Sequence, residues 1–163
     1  MTLSFEDLRI LQTAETIADA VWNQVVDWQP FARDAMGKQL IQAADSIGAN
    51  IAEAFGRYHY GEKLNFLYYA RGSLFETKYW INRAVARTLI DDKELRDCIA
   101  QLADLARQLN ALASATRQQR AGQPAGQQTS SKSIREPGEP YDALALEATD
   151  LFSLEDLAWL TEH

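Results

Sequence analysis

Apolar positions recur along the first 115 or so residues at steps of three and four, the spacing that places them on one face of an α-helix. Leu11, Ala14, Ala18, Val21, Val25 and Trp28 form the first stripe, widened by Ile10, Ile17 and Trp22. It starts at Leu3-Ser4-Phe5-Glu6-Asp7-Leu8, where Ser4 can cap free backbone N–H groups, Asp7 can return a bond, and Leu3 and Leu8 stand where a hydrophobic staple would. Pro30 ends this helix and suits the first turn of the next, which is predicted over residues 31–55 with Gly37 as a kink or a late start. Gly56 and Gly61 bracket a turn, and a third helix follows over 62–87. Its inner line is Phe66, Ala70, Ser73, Thr77, Trp80 and Ala84, with Leu67, Leu74 and Ile81 beside it. Asp91 with Glu94 signals a further cap. The cleanest heptad of the chain comes next, at Leu95, Cys98, Leu102, Leu105, Leu109 and Leu112, with Ile99, Ala103, Ala106 and Ala113 as a second edge. Four long helices on short turns predict an all-α fold, an up-down-up-down antiparallel four-helix bundle over residues 1–116.

The periodicity then stops. Residues 117–140 turn to Gln, Gly, Ser, Pro and charge, a composition with too little apolar surface to offset its ordering entropy, and read as a flexible linker. Residues 141–163 regain apolar character and predict a short helix in an acidic amphipathic tail, with Leu151, Phe152, Leu154, Leu157, Trp159 and Leu160 as its docking residues. Ser153-Leu154-Glu155-Asp156-Leu157-Ala158-Trp159-Leu160 repeats the Ser, Glu, Asp, Leu and Leu of Ser4-Phe5-Glu6-Asp7-Leu8-Arg9-Ile10-Leu11 at equal positions. Two good helix starts account for this echo; so would a tail that docks in a groove like the one around the first helix, on its own bundle, a neighbouring subunit or another protein.

Polar residues on the middle helices are also regular. Ser46, Asn50, Glu53 and Arg57 fall in one line, roughly 90° around the axis from the apolar line of Leu40, Ala43, Ile47, Ile51 and Ala54. Asn65, Tyr69, Gly72, Glu76 and Arg83 make a counterpart on the third helix, with Ser73 beside it. Gly72 costs a helix interior about 1 kcal/mol relative to Ala, which close approach of another backbone would justify. The seams read as a register-setting network within or between subunits. A catalytic Glu53–Glu76 pair is the competing reading, and no nucleophile accompanies it.

Charge adds an asymmetry to this picture. The formal net charge is −7, yet residues 1–120 carry 14 Lys/Arg against 15 Asp/Glu, and residues 121–163 carry 2 against 8. The acidity belongs to the tail. Residues 31–87 carry 8 against 5, and Lys63, Arg71, Lys78, Arg83 and Arg87 are candidate nucleic-acid contacts, with Arg71 and Lys78 expected on the outer face of the third helix. Cys98 is the only cysteine and sits on the heptad, so it reads as core packing, and an internal disulfide is excluded. His59 and His163 are the only histidines, which excludes the Glu-x-x-His pairs of a di-metal bundle and a usual zinc site. No phosphate-cradling glycine loop is present, and no cofactor is expected. Without a basic-then-apolar leader or a run of about 18 apolar residues, the expected location is cytoplasmic.

Gln39-Leu40, Ser46-Ile47-Gly48-Ala49-Asn50-Ile51-Ala52-Glu53, Gly56-Arg57, Phe66-Leu67-Tyr68-Tyr69-Ala70-Arg71-Gly72-Ser73-Leu74-Phe75-Glu76 and Leu109-Asn110-Ala111-Leu112 resemble the bacterial four-helix-bundle proteins encoded by 23S rRNA intervening sequences. The likeness covers residues 3–115; Ala54 stands where that family usually has Gly. The resemblance implies a ring-shaped homo-oligomer, with a homopentamer favoured, as in the related accessory variability determinant of diversity-generating retroelements, which binds a reverse transcriptase and nucleic acid. It implies no enzymatic activity. The expectation is therefore a non-enzymatic adaptor whose tail docks on a protein partner or a neighbouring subunit. The alternative is a nucleic-acid-binding accessory protein, associated with rRNA or a reverse transcriptase.

Overall fold

In a computed structural model of the protein, which describes residues 5–122 and 151–162, every regular element is helical. In chain order these are α1 (Phe5–Val26), α2 (Pro30–Ala32), a π-helical turn (Arg33–Gly37), α3 (Lys38–Gly56), α4 (Tyr60–Ala86), α5 (Asp92–Ala121) and α6 (Leu154–Thr161). The all-α expectation holds. The cap and staple predicted at residues 3–8 lie outside the described residues and side chains.

Each long helix packs against its chain neighbour, and α1 closes onto α5. The contacts give the directions. Gln24 Nε2 donates to Glu94 Oε1 at 2.6 Å while Gln108 Nε2 donates to Thr13 Oγ1 at 3.2 Å, so α1 and α5 run antiparallel. Gly37 lies at Val25 and Gly48 at Ala14, which sets α1 against α3 in the same sense. Arg87 meets Met36 and Asn50 meets Ser73, which does so for α3 and α4. Aliphatic side chains from all four helices fill the centre, among them Ile17, Ile47, Ile51, Leu67, Leu74 and Leu102, all essentially inaccessible. Cys98 is buried as expected; burial pushes its thiol up, and the nearby charges of Asp97 and Glu94 push it further.

The helix ends follow local chemistry. Asp91 Oδ1 accepts from the N–H groups of Lys93 and Glu94 at 2.9 and 2.8 Å, and Glu94 returns a bond to the Asp91 N–H: the capping box predicted from sequence. α4 ends in a Schellman turn, with Leu89 N–H donating to Ala84 O and Thr88 N–H to Val85 O, both at 2.9 Å. Thr88 takes the left-handed position, φ 57°, where glycine is usual. α5 runs to Ala121, past the expected bundle end at 116, and in this extension Arg117 Nη2 donates to Tyr68 Oη of α4 at 3.2 Å. Residues 123–140 of the expected linker are outside the described residues, as are residues 141–150 of the tail.

Two expectations about core faces need correction. Phe66, Ser73 and Trp80 are only half-buried, whereas Leu64, Leu67, Leu74 and Ile81 carry the bulk of α4 into the core. Ala70, Thr77 and Ala84 are buried on either reading, and the aliphatic flank beside them turns inward while the mixed flank faces the α3 rim. Trp22 is 56 % exposed, since the tighter line of Ile17, Val21 and Val25 already fills the α1 face.

Gly37 does not start the helix; it ends a π-turn inside a continuous one. A Cβ there would stand 2.4 Å from Val25 Cγ1, the stiff branch of a fully buried side chain. Gly37→Ala therefore sets a gain of about 1 kcal/mol in helix propensity against an overpacking cost of about 1–3 kcal/mol. The clash decides the sign, so the variant is expected to melt lower. Val25→Ala in the same chain should recover part of the loss, measured as a coupling between the two substitutions in denaturant titration. A Gly37→Ala protein more stable than the parent contradicts the close approach.

Candidate functional site

The α3 seam is shallower than its sequence spacing implies. Asn50 Nδ2 donates to Ser46 O in its own helix at 2.8 Å and reaches Ser73 Oγ across to α4 at 3.4 Å. Glu53 pairs with Arg57 one turn on, at the surface, and the Arg57 guanidinium covers the Phe66 ring at 4.6 Å. On α4, Asn65, Tyr69, Gly72, Glu76 and Arg83 are exposed; Phe66 and Tyr69 meet edge to face, and Trp80 Nε1 donates to Glu76 Oε1 at 3.4 Å. Within one chain the two seams thus share a single hydrogen bond, not a network. Among the described residues no atom lies within 4 Å of where a Cβ of Gly72 would stand, so no described backbone of this chain requires it.

The predicted basic face divides in two. Arg83 and Arg87 are exposed, and Arg87 Nη1 donates to Met36 Sδ at 3.0 Å. The other three are covered. Lys63 is buried with its ammonium 5.2 Å from the centre of the Phe55 ring, Arg71 is half-buried, and Lys78 is 1 % exposed. Lys78 does not face solvent and Arg71 does so only in part, because the C-terminal segment lies over them.

That segment occupies a groove between α4 and α5. Asn110 of α5 grips the chain at Phe152 with both ends of its amide: Nδ2 donates to Phe152 O at 2.9 Å, and the Phe152 N–H donates to Oδ1 at 2.7 Å. The Phe152 ring, 1 % exposed, stacks on Phe75 of α4 at 5.5 Å, and the Arg71 guanidinium lies 4.6 Å from the Phe75 centroid. Arg71 Nη2 donates to Asp156 Oδ2 at 3.1 Å. Lys78 Nζ donates to Glu162 O at 2.7 Å, capping the end of α6, and lies 5.9 Å from the Trp159 ring. Leu151 and Leu160 are buried, Leu157 and Trp159 pack partially, and Leu154 points to solvent at 86 % exposure. Of the six expected docking residues, five therefore touch or approach the bundle and one does not. The seat is on the chain's own bundle, along the flank of α5 away from α1.

α6 holds its own start. Ser153 Oγ accepts from the Asp156 N–H at 3.1 Å, and Asp156 Oδ2 accepts from the Ser153 N–H at 2.8 Å, so one carboxylate serves both the cap and Arg71. Burial pushes the Asp156 carboxyl up, but the Ser153 hydrogen bonds and the Arg71 guanidinium outweigh it and leave it below the ordinary carboxylate range. For Lys78 burial prevails over the attraction of Glu162, and its ammonium is held below the usual lysine range. Asn110 and Phe75 are the residues that sequence reading did not assign. Their signal was present: an Asn between Leu109 and Leu112 on a heptad flank, and a Phe between the two cations of α4.

The profile described as 23S rRNA-intervening sequence protein matches residues 6–111. The chain belongs to that family. The match ends just past Asn110, so the groove lies within the family's part of the chain and the segment that fills it lies beyond. Among solved structures, a protein of unknown function from the S23 ribosomal protein family of Bacteroides thetaiotaomicron has the same fold, with TM-score 0.59, 21 % identity, and coverage of 67 % of this chain and 98 % of its own. No curated protein matches the sequence.

Asn110→Ala is expected to undock the segment while leaving the bundle folded. It strands two backbone groups of Phe152, each worth about 1–3 kcal/mol if left unpaired, and should show as faster amide exchange over residues 151–162. Leu154→Ala is the control and should change nothing. Acid should act in the same direction. With the folded carboxyl of Asp156 depressed, its contribution is complete above the ordinary value and is lost as the pH falls through the depressed one, below about 4. Docking should weaken there, and less steeply in Asp156→Asn; an identical pH profile for the two proteins would rule out this carboxylate as the cause.

Proposed function

We propose that the protein is a non-enzymatic, cytoplasmic adaptor that assembles with copies of itself and recognises a protein through its groove and C-terminal segment. The supporting observation is the Asn110 clamp on the Phe152 backbone, flanked by an aromatic seat at Phe75 and cations at Arg71 and Lys78. A side-chain amide that reads both polar groups of one residue's backbone is a means of holding an extended peptide. The two cations select acidic side chains and the free carbonyls of a helix end. No helix among the described residues is long and apolar enough to cross a membrane. Assembly as a ring, with five copies favoured, would draw on the exposed aromatic and polar surface of Tyr58, Tyr69, Glu76 and Arg83. Asn50, Glu53 and Arg57 at the α3 rim would join that contact.

The second reading is nucleic-acid binding. Arg83 and Arg87 favour it, since they remain exposed with the tail in place. Lys63, Arg71 and Lys78 contribute only if the covering groups move.

A labelled peptide spanning residues 150–162 tests the adaptor reading. It should bind saturably to the full chain carrying Phe152→Asp, whose own tail is disabled, and at least tenfold more weakly when Asn110→Leu is added. Equal binding to both proteins, or none to either, would remove the groove as a recognition site. Labelled RNA and DNA at two salt concentrations test the other reading. Saturable binding that falls steeply with salt and is lost in Arg83→Ala/Arg87→Ala would put nucleic acid first.

A further inference from the structure

The groove and the segment that fills it are separate pieces of chain, and the length between them bears on whose segment fills it. The chain is described through Gly122, just past the end of α5, and again from Leu151, so residues 123–150 make the connection. That is 28 residues, which fully extended span up to about 90 Å at roughly 3.3 Å each. The seat at Asn110 lies only 12 residues back along α5 from Gly122, about 18 Å at a rise of 1.5 Å per residue. The connection is several times longer than the distance it must cover. It can reach the same groove on an adjacent molecule as well as on its own.

Among the described residues, the contacts that hold the segment run from residues 151–162 to α4 and α5, and their geometry does not depend on which molecule supplies the segment. The Asn110 clamp, the Phe75–Phe152 stack, the Arg71–Asp156 pair and the Lys78–Glu162 bond would form unchanged in trans. The seat also needs an occupant. Without one, Phe75 and the buried face of α4 would meet water. Once assembly brings two grooves within reach of two segments, cis and trans docking differ mainly in loop-closure entropy, which grows only slowly with loop length.

We infer that the α4–α5 groove is an exchange site that takes residues 151–162 of a second copy of this chain, so that the tail links subunits as well as closing its own. This rests on the adaptor reading in one respect, that the groove recognises a peptide. Donor and acceptor surfaces differ, so two copies can swap tails reciprocally about a two-fold axis, or a head-to-tail ring forms in which each tail seats on the next subunit. The acidic tail, bearing most of the chain's net charge, is then neutralised locally by a neighbour's Arg71 and Lys78.

Two full-length variants test this. The donor carries Arg71→Glu and Asn110→Leu, which disable its groove and leave its tail intact; the acceptor carries Phe152→Asp, which disables its tail and leaves its groove intact. Circular dichroism establishes that both are folded. The donor alone should exchange its Phe152 amide rapidly. An equal amount of unlabelled acceptor should slow that exchange at least tenfold in the isotope-labelled donor, and an acceptor that also carries Asn110→Leu should not. Leu160→Asp serves as a second tail-disabled acceptor if Phe152→Asp unfolds. If the free 150–162 peptide binds the acceptor but the donor chain gains no protection, exchange is overturned and the adaptor reading stands. If neither binds, both fall.

Discussion

Where Val25 of α1 rests over Gly37, the two helices come too close for any side chain to stand between them, and the rest of the bundle is built outward from that approach. A Cβ at Gly48 would stand 3.6 Å from Ala14 Cβ, an ordinary contact, further along the same interface, and Ala44 is fully buried on α3. Small residues on one side let the aliphatic stripe of α1 drop deep enough to meet α3 and α5 together. Interiors pack at the density of organic crystals, so a displacement at this seam would be felt across the core. The π-turn at Arg33–Gly37 is part of the same fit. It takes up the local mismatch in helical register without breaking the helix, and it turns Met36 fully inward.

The outer flank of α4 faces a different constraint. Its inner flank is conventional core, but Arg71, Phe75 and Lys78 put two cations beside an aromatic ring on the side where a bundle normally meets water. Burying an ammonium without acceptors is costly. Covering this flank with an apolar helix alone would leave Lys78 unpaired, and leaving it bare would expose Phe75. The C-terminal segment meets both demands, because its aromatic residues cover Phe75 while a helix-end carbonyl and an acidic cap supply the acceptors. Burial still holds the Lys78 ammonium below the usual lysine range, which records what remains of the desolvation cost.

Most of the fold could be read from the chain, because helix periodicity, caps and short turns all pointed the same way. The Asp91–Glu94 box, the aliphatic heptad of α5 and the amphipathic tail helix appear where spacing put them. What spacing could not resolve was which of two adjacent lines of a helix faces inward. Phe66-Ser73-Trp80 and Leu67-Leu74-Ile81 are both heptad lines one residue apart, and only tertiary packing chooses between them. The site was harder for the same reason. Arg71 and Lys78 read as surface cations on an isolated helix, and their burial depends on a partner some 80 residues later in sequence. The polar line from Ser46 to Arg57 was regular enough to suggest a network, yet a regular spacing on one helix says nothing about whether a second helix answers it. Here the answer from α4 is the Ser73 hydroxyl beside Asn50 and the Phe66 ring under Arg57.

The docked helix also has a side that does no packing. Ser153, Leu154, Glu155, Ala158 and Thr161 are exposed, while Phe152, Asp156 and Leu160, four residues apart, make the inward line. Substitutions on such an outward face usually move stability by no more than about 0.5 kcal/mol. The two sides of this short helix thus carry unequal physical constraint. One is held to the chemistry of Phe75, Arg71 and Asn110, and the other is free to drift. A lineage could keep the seat intact while the outward side is rewritten, so that one anchor comes to display different surfaces in different descendants.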